Sequence, residues 1–252
     1  MATCGVDLND VMLDRAAELV EKHGTASVCD HGCGSGELLS RLGERFPGRL
    51  ELVGVDRFGT MCETHRPDAI PGVRLVDRDE AEYEQLVSGS GFDLVLSCFA
   101  LHHYRLPMTE LKALHCMLRP GGHLFMADWL FGGDEPGDVS TDVLSLLGEV
   151  QGALSGRHHR HHYTLPEAVD LVEASGFRDL DAVEARLQQT EKERRAYTEK
   201  RLARLRDSLK EPDERVPDAA RPFLRAQTEA VISTIEEHSL DWSRYFVLLA
   251  RR

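Results

Sequence analysis

The sequence predicts an α/β fold of the doubly wound kind, in which a mostly parallel sheet carries helices on both faces. Three observations support this prediction. Short apolar runs alternate with amphipathic segments along residues 26–128. A glycine-rich turn follows the first apolar run, and several later runs end in an acidic residue. The 252 residues suffice for one such domain with a modest appendage.

The predicted elements follow one another in a regular order. Alternating strand and helix units imply parallel strands joined by crossover helices. Helices are expected near 8–23, 36–46, 58–65, 80–88, 107–118, 139–154 and 165–174, and strands begin near 26, 50, 73, 92, 123, 177 and 244.

The first unit is a strand, a glycine turn and a helix. An apolar run ends in Asp30, and Gly32, Gly34 and Gly36 follow at alternate positions. A ligand can lie against such a turn because no Cβ intervenes, and the helix start offers free N–H groups. Glu37 stands where a dinucleotide fingerprint has its third glycine, and no P-loop Gly-Lys-Ser/Thr follows. An acid aimed into the turn suits a cationic ammonium group better than a pyrophosphate.

Five segments in order resemble the class I S-adenosylmethionine (SAM) methyltransferases. They are Asp30–Gly36, Leu50–Asp56, Val73–Asp79, Phe92–His103 and Leu118–Asp128. The resemblance is specific over residues 26–128 and weaker over residues 165–177 and 244–252. It is absent over the segment between the last two ranges. It implies a seven-stranded sheet whose last strand is antiparallel, SAM as the methyl donor, and S-adenosylhomocysteine as the product.

The resemblance also implies which residues bind SAM. Asp56 ends the second strand, where a carboxylate can accept both ribose hydroxyls. Asp79 is expected to accept from the adenine amino group, with Asp77 as the alternative. The expected cofactor-binding set is Asp30, Gly32, Gly34, Gly36, Asp56, Arg57, Asp79 and Ser97.

Two histidines after the fourth strand are the catalytic candidates on the methyl side of the pocket. His102 is predicted to face the pocket as a general base, because an unperturbed imidazole titrates near pH 6.5. His103 is expected either to contact the substrate or to cap the loop. Asp128 ends the fifth strand on the same rim. It is the second catalytic candidate. Three roles stay open for it: it binds an acceptor cation, accepts a proton or orients Trp129.

Residues 129–163 are interpreted as a lid segment. The substrate candidates beside His103 are Trp129, His161, His162 and Tyr163. Four histidines lie within residues 158–162, but adjacent residues rarely converge on one ion and two arginines lie among them. We therefore expect these histidines to bind no metal. The segment is then either a mobile surface loop or a lid that touches the acceptor.

The methyltransferase core is assigned to residues 1–186, with its last strand at 243–252. Between them, residues 187–242 form a helical insertion with helices near 189–210 and 219–238, separated by prolines. Apolar stripes on both helices must be buried against something. A lid over the acceptor pocket and a homodimer contact both remain open.

Composition restricts the function. The formal net charge of −13 argues against broad binding of nucleic acid. The basic residues of 192–206 are interleaved with glutamates, which favours a solvated helix. We expect no membrane span and no secretory signal. The six cysteines form no CxxC pair, which is typical of reduced cytoplasmic proteins.

The sequence thus predicts a cytoplasmic SAM-dependent methyltransferase. It would act on an O, N or C nucleophile of a small molecule, with specialised metabolism as the suggested setting. Three alternatives stay open. They are an enzyme that uses the aminocarboxypropyl arm of SAM and releases methylthioadenosine, a tRNA or protein methyltransferase, and a SAM-binding protein without activity.

Overall fold

A computed structural model describes residues 8–57, 70–89, 91–211 and 213–252. The helix predicted near 58–65 lies outside these ranges. Within them, every other predicted helix and strand is found, with bounds that shift by a few residues.

Seven strands form one sheet. They are β1 Ser27–His31, β2 Glu51–Asp56, β3 Val73–Asp77, β4 Phe92–Cys98, β5 Leu118–Trp129, β6 Arg178–Arg186 and β7 Arg244–Arg251. Their spatial order is β3-β2-β1-β4-β5-β7-β6. β7 is antiparallel to both of its neighbours, and all other pairings are parallel. The doubly wound fold and the antiparallel last strand are confirmed.

The described ranges contain eight helices. They are α1 Leu8–His23, α2 Glu37–Arg45, α3 Ala81–Gly89, α4 Pro107–Met117, α5 Pro136–Ser155, α6 Leu165–Ala174, α7 Glu191–Lys210 and α8 Arg221–His238. The first four and α6 pack on the two faces of the sheet. α6 and α7 each begin with a capping box, Thr164 with Glu167 and Thr190 with Glu193, which satisfies free N–H groups at the helix start. Short 3₁₀ turns occupy Leu101–His103 and Asp218–Ala220.

Two hydrophobic cores lie on opposite faces of the sheet. Successive residues of β1 show the alternation, because Val28 packs in the core with α1 and α2 while Cys29 packs in the core with α3, α4 and α6. Burial on both faces explains why the strands are continuous apolar runs. The polar ends of these strands are left to form the site.

The helical insertion before β7 is confirmed, and it has a core of its own. Leu202 and Leu205 of α7 and Val231 and Ile235 of α8 pack against Leu147 of α5. The apolar stripes predicted on the two helices are therefore buried within the chain. This packing places α7 beside α5, the helix that follows the fifth strand.

Across the described ranges, we find no helix with the length and apolar character needed to cross a bilayer.

Candidate active site

The glycine turn after β1 brings bare backbone against the loop that follows β4. Gly32 has a φ of 89°, and a Cβ at that position would lie 2.5 Å from the Cβ of Ala100. Glycine is required here for both the conformation and the space. The backbone N–H groups of Gly32 and Cys33 donate to the carbonyl oxygen of Val55, at 2.8 and 3.1 Å, which ties the turn to β2.

A cleft of about 260 Å³ opens at this turn. We call it the cofactor cleft. Of the residues predicted to bind SAM, Gly32, Gly34, Asp56 and Arg57 line it. The other described lining residues are His31, Val55, Arg78, Phe99, Ala100, His103, Tyr104, Arg105 and Glu110.

Asp56 is held rigidly at the end of β2. Its Oδ2 accepts from the backbone N–H of Gly34 at 2.6 Å, and its Oδ1 accepts from the N–H of Arg57 at 2.7 Å. Each carboxylate oxygen keeps a second lone pair. The side chain can therefore accept hydrogen bonds from a ligand diol, as predicted for the ribose of SAM.

Asp30 is buried, with 3% of its surface exposed, and its Oδ1 has no hydrogen-bond partner among the described residues. Burial, and then repulsion from Asp56, raises the pKa of this carboxyl to about 7. A buried acceptor without a partner is costly and is suited to a donor supplied by a ligand. The ammonium group of SAM is such a donor, so the residue fits the predicted role.

Besides Asp30, three predicted cofactor residues lie outside the described lining of the cleft. Asp79 is largely exposed, and its carboxylate lies 3.3 Å from Nε of Arg57. Ser97 is fully buried, and its hydroxyl hydrogen-bonds to that of Tyr104 at 2.8 Å. Gly36 precedes α2 with a φ of 74°. Their roles toward SAM stay predictions.

Sequence reasoning missed a polar group on the cleft wall. Nδ1 of His31 lies 2.8 Å from the Tyr104 hydroxyl and Nε2 lies 3.2 Å from that of Tyr83, while Arg78 pairs with Glu110 at 2.6 Å. Burial lowers the pKa of His31 to about 4. The position of Arg78 at the end of β3 was an available signal. Tyr104 and Glu110 had none, because they reach the cleft only through the packing of α4.

A second cavity of about 420 Å³ lies next to the cofactor cleft, and we call it the histidine cavity. His103 lines both. Predicted catalytic and substrate residues His102, Trp129 and His162 line the histidine cavity as well. The sequence did not assign the remaining residues of its described lining, which are Leu144, Ser145, Gly148, Gln151, His159, Arg201, Arg204, Leu205, Ser208 and Trp242.

His102 and Asp128 form a buried hydrogen-bonded pair. Nδ1 of His102 lies 2.8 Å from Oδ1 and 3.0 Å from Oδ2 of Asp128, which also accepts from the backbone N–H groups of His102 and Trp129. Burial of Asp128 raises the pKa of its carboxyl, but its contacts with His102 outweigh that effect and hold the pKa below the usual value. An ionised carboxylate only accepts, so Nδ1 of His102 is the donor in this pair.

Three further histidines surround His102. The ring of His103 lies 4.1 Å from it, and those of His159 and His162 lie at 5.3 Å. Burial, and then the neighbouring His102, lowers the pKa of His103 and His162 to about 3 and that of His159 to about 4. The three rings are therefore neutral near pH 7.

Ring nitrogens of His102, His103 and His159 all lie within 4.8 Å of one another, so these side chains could hold a metal ion. The sequence did not predict this cluster, because His159 is brought to the other two only by the fold. Our expectation of no metal stays a prediction.

The remaining substrate candidates lie beside the cavity, outside its described lining. Nδ1 of His161 lies 2.6 Å from the Glu149 carboxylate, and its ring packs against Phe131. Tyr163 is buried beneath the guanidinium of Arg160, 4.0 Å from the ring centre. Neither placement tests the predicted contact with a substrate.

Comparison with known proteins identifies the family. Residues 7–182 match the family model described as a methyltransferase domain. A tRNA U34 carboxymethyltransferase of Klebsiella pneumoniae is 30% identical over 183 residues, covering 67% of this chain and 48% of that protein. An uncharacterized methyltransferase of Schizosaccharomyces pombe is 30% identical over 139 residues, covering 50% and 47%. The chain thus spans about half the length of these curated relatives.

Solved structures share the fold. A cyclopropane-fatty-acyl-phospholipid synthase-like protein of Lactobacillus casei has a TM-score of 0.64 at 12% identity, with 99% of this chain and 96% of that chain covered. The YcgJ protein of Bacillus subtilis has a TM-score of 0.57 at 14% identity, with 95% and 97% covered. The predictions of family and cofactor are confirmed: the chain belongs to the methyltransferase domain family and is a class I SAM-dependent methyltransferase.

Proposed function

We propose that this chain transfers the methyl group of SAM to an O, N or C nucleophile of a small molecule and releases S-adenosylhomocysteine. One observation carries the proposal. His103 lines both the cofactor cleft and the histidine cavity, so the two spaces meet at one side chain. A methyl donor in the first space and an acceptor in the second would be adjacent, which is what direct transfer requires.

At the cofactor cleft, the chain supplies contacts from two strand ends, those of β1 and β2. Asp56 accepts from the ribose, Asp30 accepts from the ammonium group, and the backbone at Gly32 and Gly34 leaves room for the ligand. Bound SAM supplies a methyl group on a positively charged sulfur. The residues of the cleft hold and orient it.

In the histidine cavity, we propose that His102 is the general base. Asp128 holds Nδ1–H of the imidazole, so Nε2 is left to take the proton of the acceptor as its nucleophilic atom bonds to the methyl carbon. The bond between that carbon and the sulfur breaks, and the sulfur keeps the electron pair as a neutral thioether. Among the roles left open for Asp128, the bonds to His102 and Trp129 support orientation of the base.

Segments 129–163 and 187–242 close the acceptor side. Trp129 and His162 come from the first segment, and Arg201 and Arg204 from the second. We propose that both serve the acceptor and that the insertion acts as a fixed wall of the cavity, by limiting access of water to the reacting atoms. A homodimer contact through the insertion is the alternative.

The choice of a small molecule over tRNA rests on charge. The net charge is −13. Broad binding of a phosphate backbone requires a basic surface, which this balance of charge opposes. The relative of Klebsiella pneumoniae is named a tRNA U34 carboxymethyltransferase, so the experiment below also offers tRNA as a substrate.

The test is incubation with SAM and either a metabolite extract or total tRNA, with mass analysis of both products. We expect S-adenosylhomocysteine together with a small molecule heavier by one methylene. Leu106→Ser, a change at an exposed side chain that lines neither space, is the control. Methylthioadenosine as the main nucleoside product, modification of tRNA alone, or SAM binding without turnover would each contradict the proposal in favour of one named alternative.

A further inference from the structure

We infer that the acceptor carries an anionic group, a carboxylate or a phosphate, and that Arg201 and Arg204 bind it at the α7 wall of the histidine cavity. The inference rests on the proposed function, because it assigns the substrate class of that site. It starts from a contrast between the cavity and the rest of the chain.

The histidine cavity has the opposite charge to the whole protein. The chain carries a net charge of −13, but the described lining contains two arginines and no aspartate or glutamate. Asp128 lies behind His102, fully buried and bonded to it, and its single negative charge offsets at most one of the two arginines. A walled space lined by one sign of charge concentrates ligands of the other sign.

Within the described part of the chain, neither Arg201 nor Arg204 forms an ion pair. Nε of Arg201 donates to the hydroxyl of Tyr197 at 2.7 Å, and its guanidinium lies 5.3 Å from the ring centre of Trp242. These neutral contacts orient the guanidinium and leave its charge available to a ligand.

Three other basic residues of the same helix are paired. Arg195 and Lys210 pair with acids of α7 itself, and Arg206 reaches Glu236 on α8 at 2.5 Å. Lys192, Arg194 and Lys200 form no ion pair within the described part of the chain, but they do not line the cavity. Arg201 and Arg204 are thus the cations of α7 that line the cavity, and neither has an acidic partner among the described residues, which suits an anionic ligand.

The cavity continues outward into a larger space of about 1200 Å³ that shares Arg201, Arg204 and His103 with it. Arg157 lines this outer space, and its buried Nε has no hydrogen-bond partner among the described residues. The described lining of this space holds five arginines and three acids, Glu211, Asp213 and Asp218, of which Asp213 is paired with Arg215 and Asp218 with Arg221. The route into the histidine cavity is therefore also positive.

Aromatic rings form another part of the cavity wall. The rings of Trp129 and Trp242 lie 5.1 Å apart, and His162 lies 5.3 Å from Trp242. Flat rings favour a planar or apolar ligand body. An aromatic acid or aryl phosphate combines such a body with the anionic group, so these are the probes we choose.

A metal ion is the competing occupant of this cavity, bound by His102, His103 and His159. A divalent cation would share the cavity with two arginines that form no ion pair within the described residues. The charge of the lining opposes it, whereas the same charge favours a carboxylate or phosphate. The experiment includes metal as an outcome.

The test is calorimetric binding to the full chain loaded with S-adenosylhomocysteine, at low salt. The probes are 4-hydroxybenzoate, phenyl phosphate, and the neutral 4-hydroxybenzamide. We expect the better of the two anions to bind about 10- to 100-fold more tightly than the amide, the range for a charged hydrogen bond. Arg201→Gln should remove most of this preference, and Arg204→Gln a smaller part because Arg204 is exposed to water.

Arg206→Gln is the matched control, since this α7 arginine is paired with Glu236 and does not line the cavity. It should keep the full preference. The carboxylate and phosphate probes distinguish the two sources of the anion.

If neither anion binds more tightly than the benzamide, with S-adenosylhomocysteine still bound, the inference is overturned but the proposed function stands. Failure to bind S-adenosylhomocysteine in the loading step overturns the proposed function itself. Anion binding that requires added zinc and is lost in His159→Asn, or tight tRNA binding without any preference among the small anions, also overturns the inference.

Discussion

The cofactor cleft and the histidine cavity share His103 but are built in different ways. The glycine turn and Asp56, which form the cofactor cleft, lie at the ends of adjacent parallel strands, within about 30 residues of sequence. The histidine cavity is assembled from six separate places: the turn after β4, the end of β5 at Trp129, α5, the loop around His159, α7, and Trp242 before β7. The first is a local motif, and the second is a product of tertiary packing.

The two spaces also differ in the charges of their residues. The cofactor side carries buried or fixed acids, Asp30 and Asp56, which suit a ligand with an ammonium group and hydroxyls. The acceptor side carries neutral imidazoles and unpaired guanidinium groups. Mutations on the two sides should therefore have separable effects, and the following predictions test that separation.

The largest effect is expected at the base. His102→Ala should lower turnover by about 10²- to 10⁴-fold, the usual contribution of a general base, with SAM affinity nearly unchanged. Asp128→Asn should lower turnover too, because the amide no longer fixes the Nδ1–H form of the ring. Steady-state kinetics and calorimetry separate the two quantities. Leu106→Ser, at an exposed side chain that lines neither space, is the control. Full activity in His102→Ala would show that the acceptor needs no base.

A smaller effect, on binding alone, is expected at the cofactor cleft. Asp56→Ala should weaken SAM binding by about 1.5–3 kcal/mol, the scale of a hydrogen bond to a charged group. Glu51→Ala changes an exposed acid at the other end of the same strand and should leave affinity unchanged. Calorimetry measures both. If Asp56→Ala binds SAM as wild type does, the assignment of the cleft is wrong.

Asp30 should make SAM binding depend on pH. Its carboxyl has a pKa of about 7 and must be ionised to pair with an ammonium group. Affinity should therefore fall about 10-fold from about pH 8 to about pH 6, and binding near pH 6.5 should release roughly three quarters of a proton.

Calorimetry in buffers of different ionisation enthalpy counts that proton. Asp30→Asn should show neither the pH dependence from this group nor the proton release. Equal proton release in wild type and Asp30→Asn would contradict the predicted contact.

Acid should destabilise both regions through their buried histidines. Burial lowers the pKa of His31 to about 4 and that of His162 to about 3, below the value of about 6.5 expected in the unfolded chain. The unfolded chain then binds more protons, so this stability is complete above about pH 6.5 and is lost as the pH falls.

The loss should approach about 1.4 kcal/mol per pH unit for each group. Urea unfolding of wild type and His162→Gln measures it, and the variant should show a shallower slope between about pH 6 and pH 5. Identical slopes would mean that His162 is not buried in the neutral state.

No effect at all is expected from metal removal. Elemental analysis of untagged protein should find no stoichiometric zinc, iron or nickel, and chelators should leave turnover unchanged. A tightly bound equivalent lost in His159→Asn would show instead that His102, His103 and His159 form a metal site.

Much of the cofactor side was predictable from sequence, because its signals are local. The glycine spacing and the acids at strand ends identified Gly32, Gly34, Asp56 and Arg57, all of which line the cleft. The partners His31, Tyr104 and Glu110 were missed, since hydrogen bonds between residues 73 or more positions apart leave no pattern in a short window. The roles of Asp79 and Ser97 are still predictions.

Sequence by itself determined the order of strands and helices, the family, and the glycine turn that is predicted to hold the cofactor. These follow from apolar periodicity and from the backbone freedom of glycine, both of which act over a few residues. Only the tertiary structure decided that His159 joins His102 and His103, and that Arg201, Arg204 and Trp242 complete the wall. Those contacts arise because the apolar stripes of α7 and α8 bury themselves on α5, and side chains distant in sequence are brought to one cavity as a consequence.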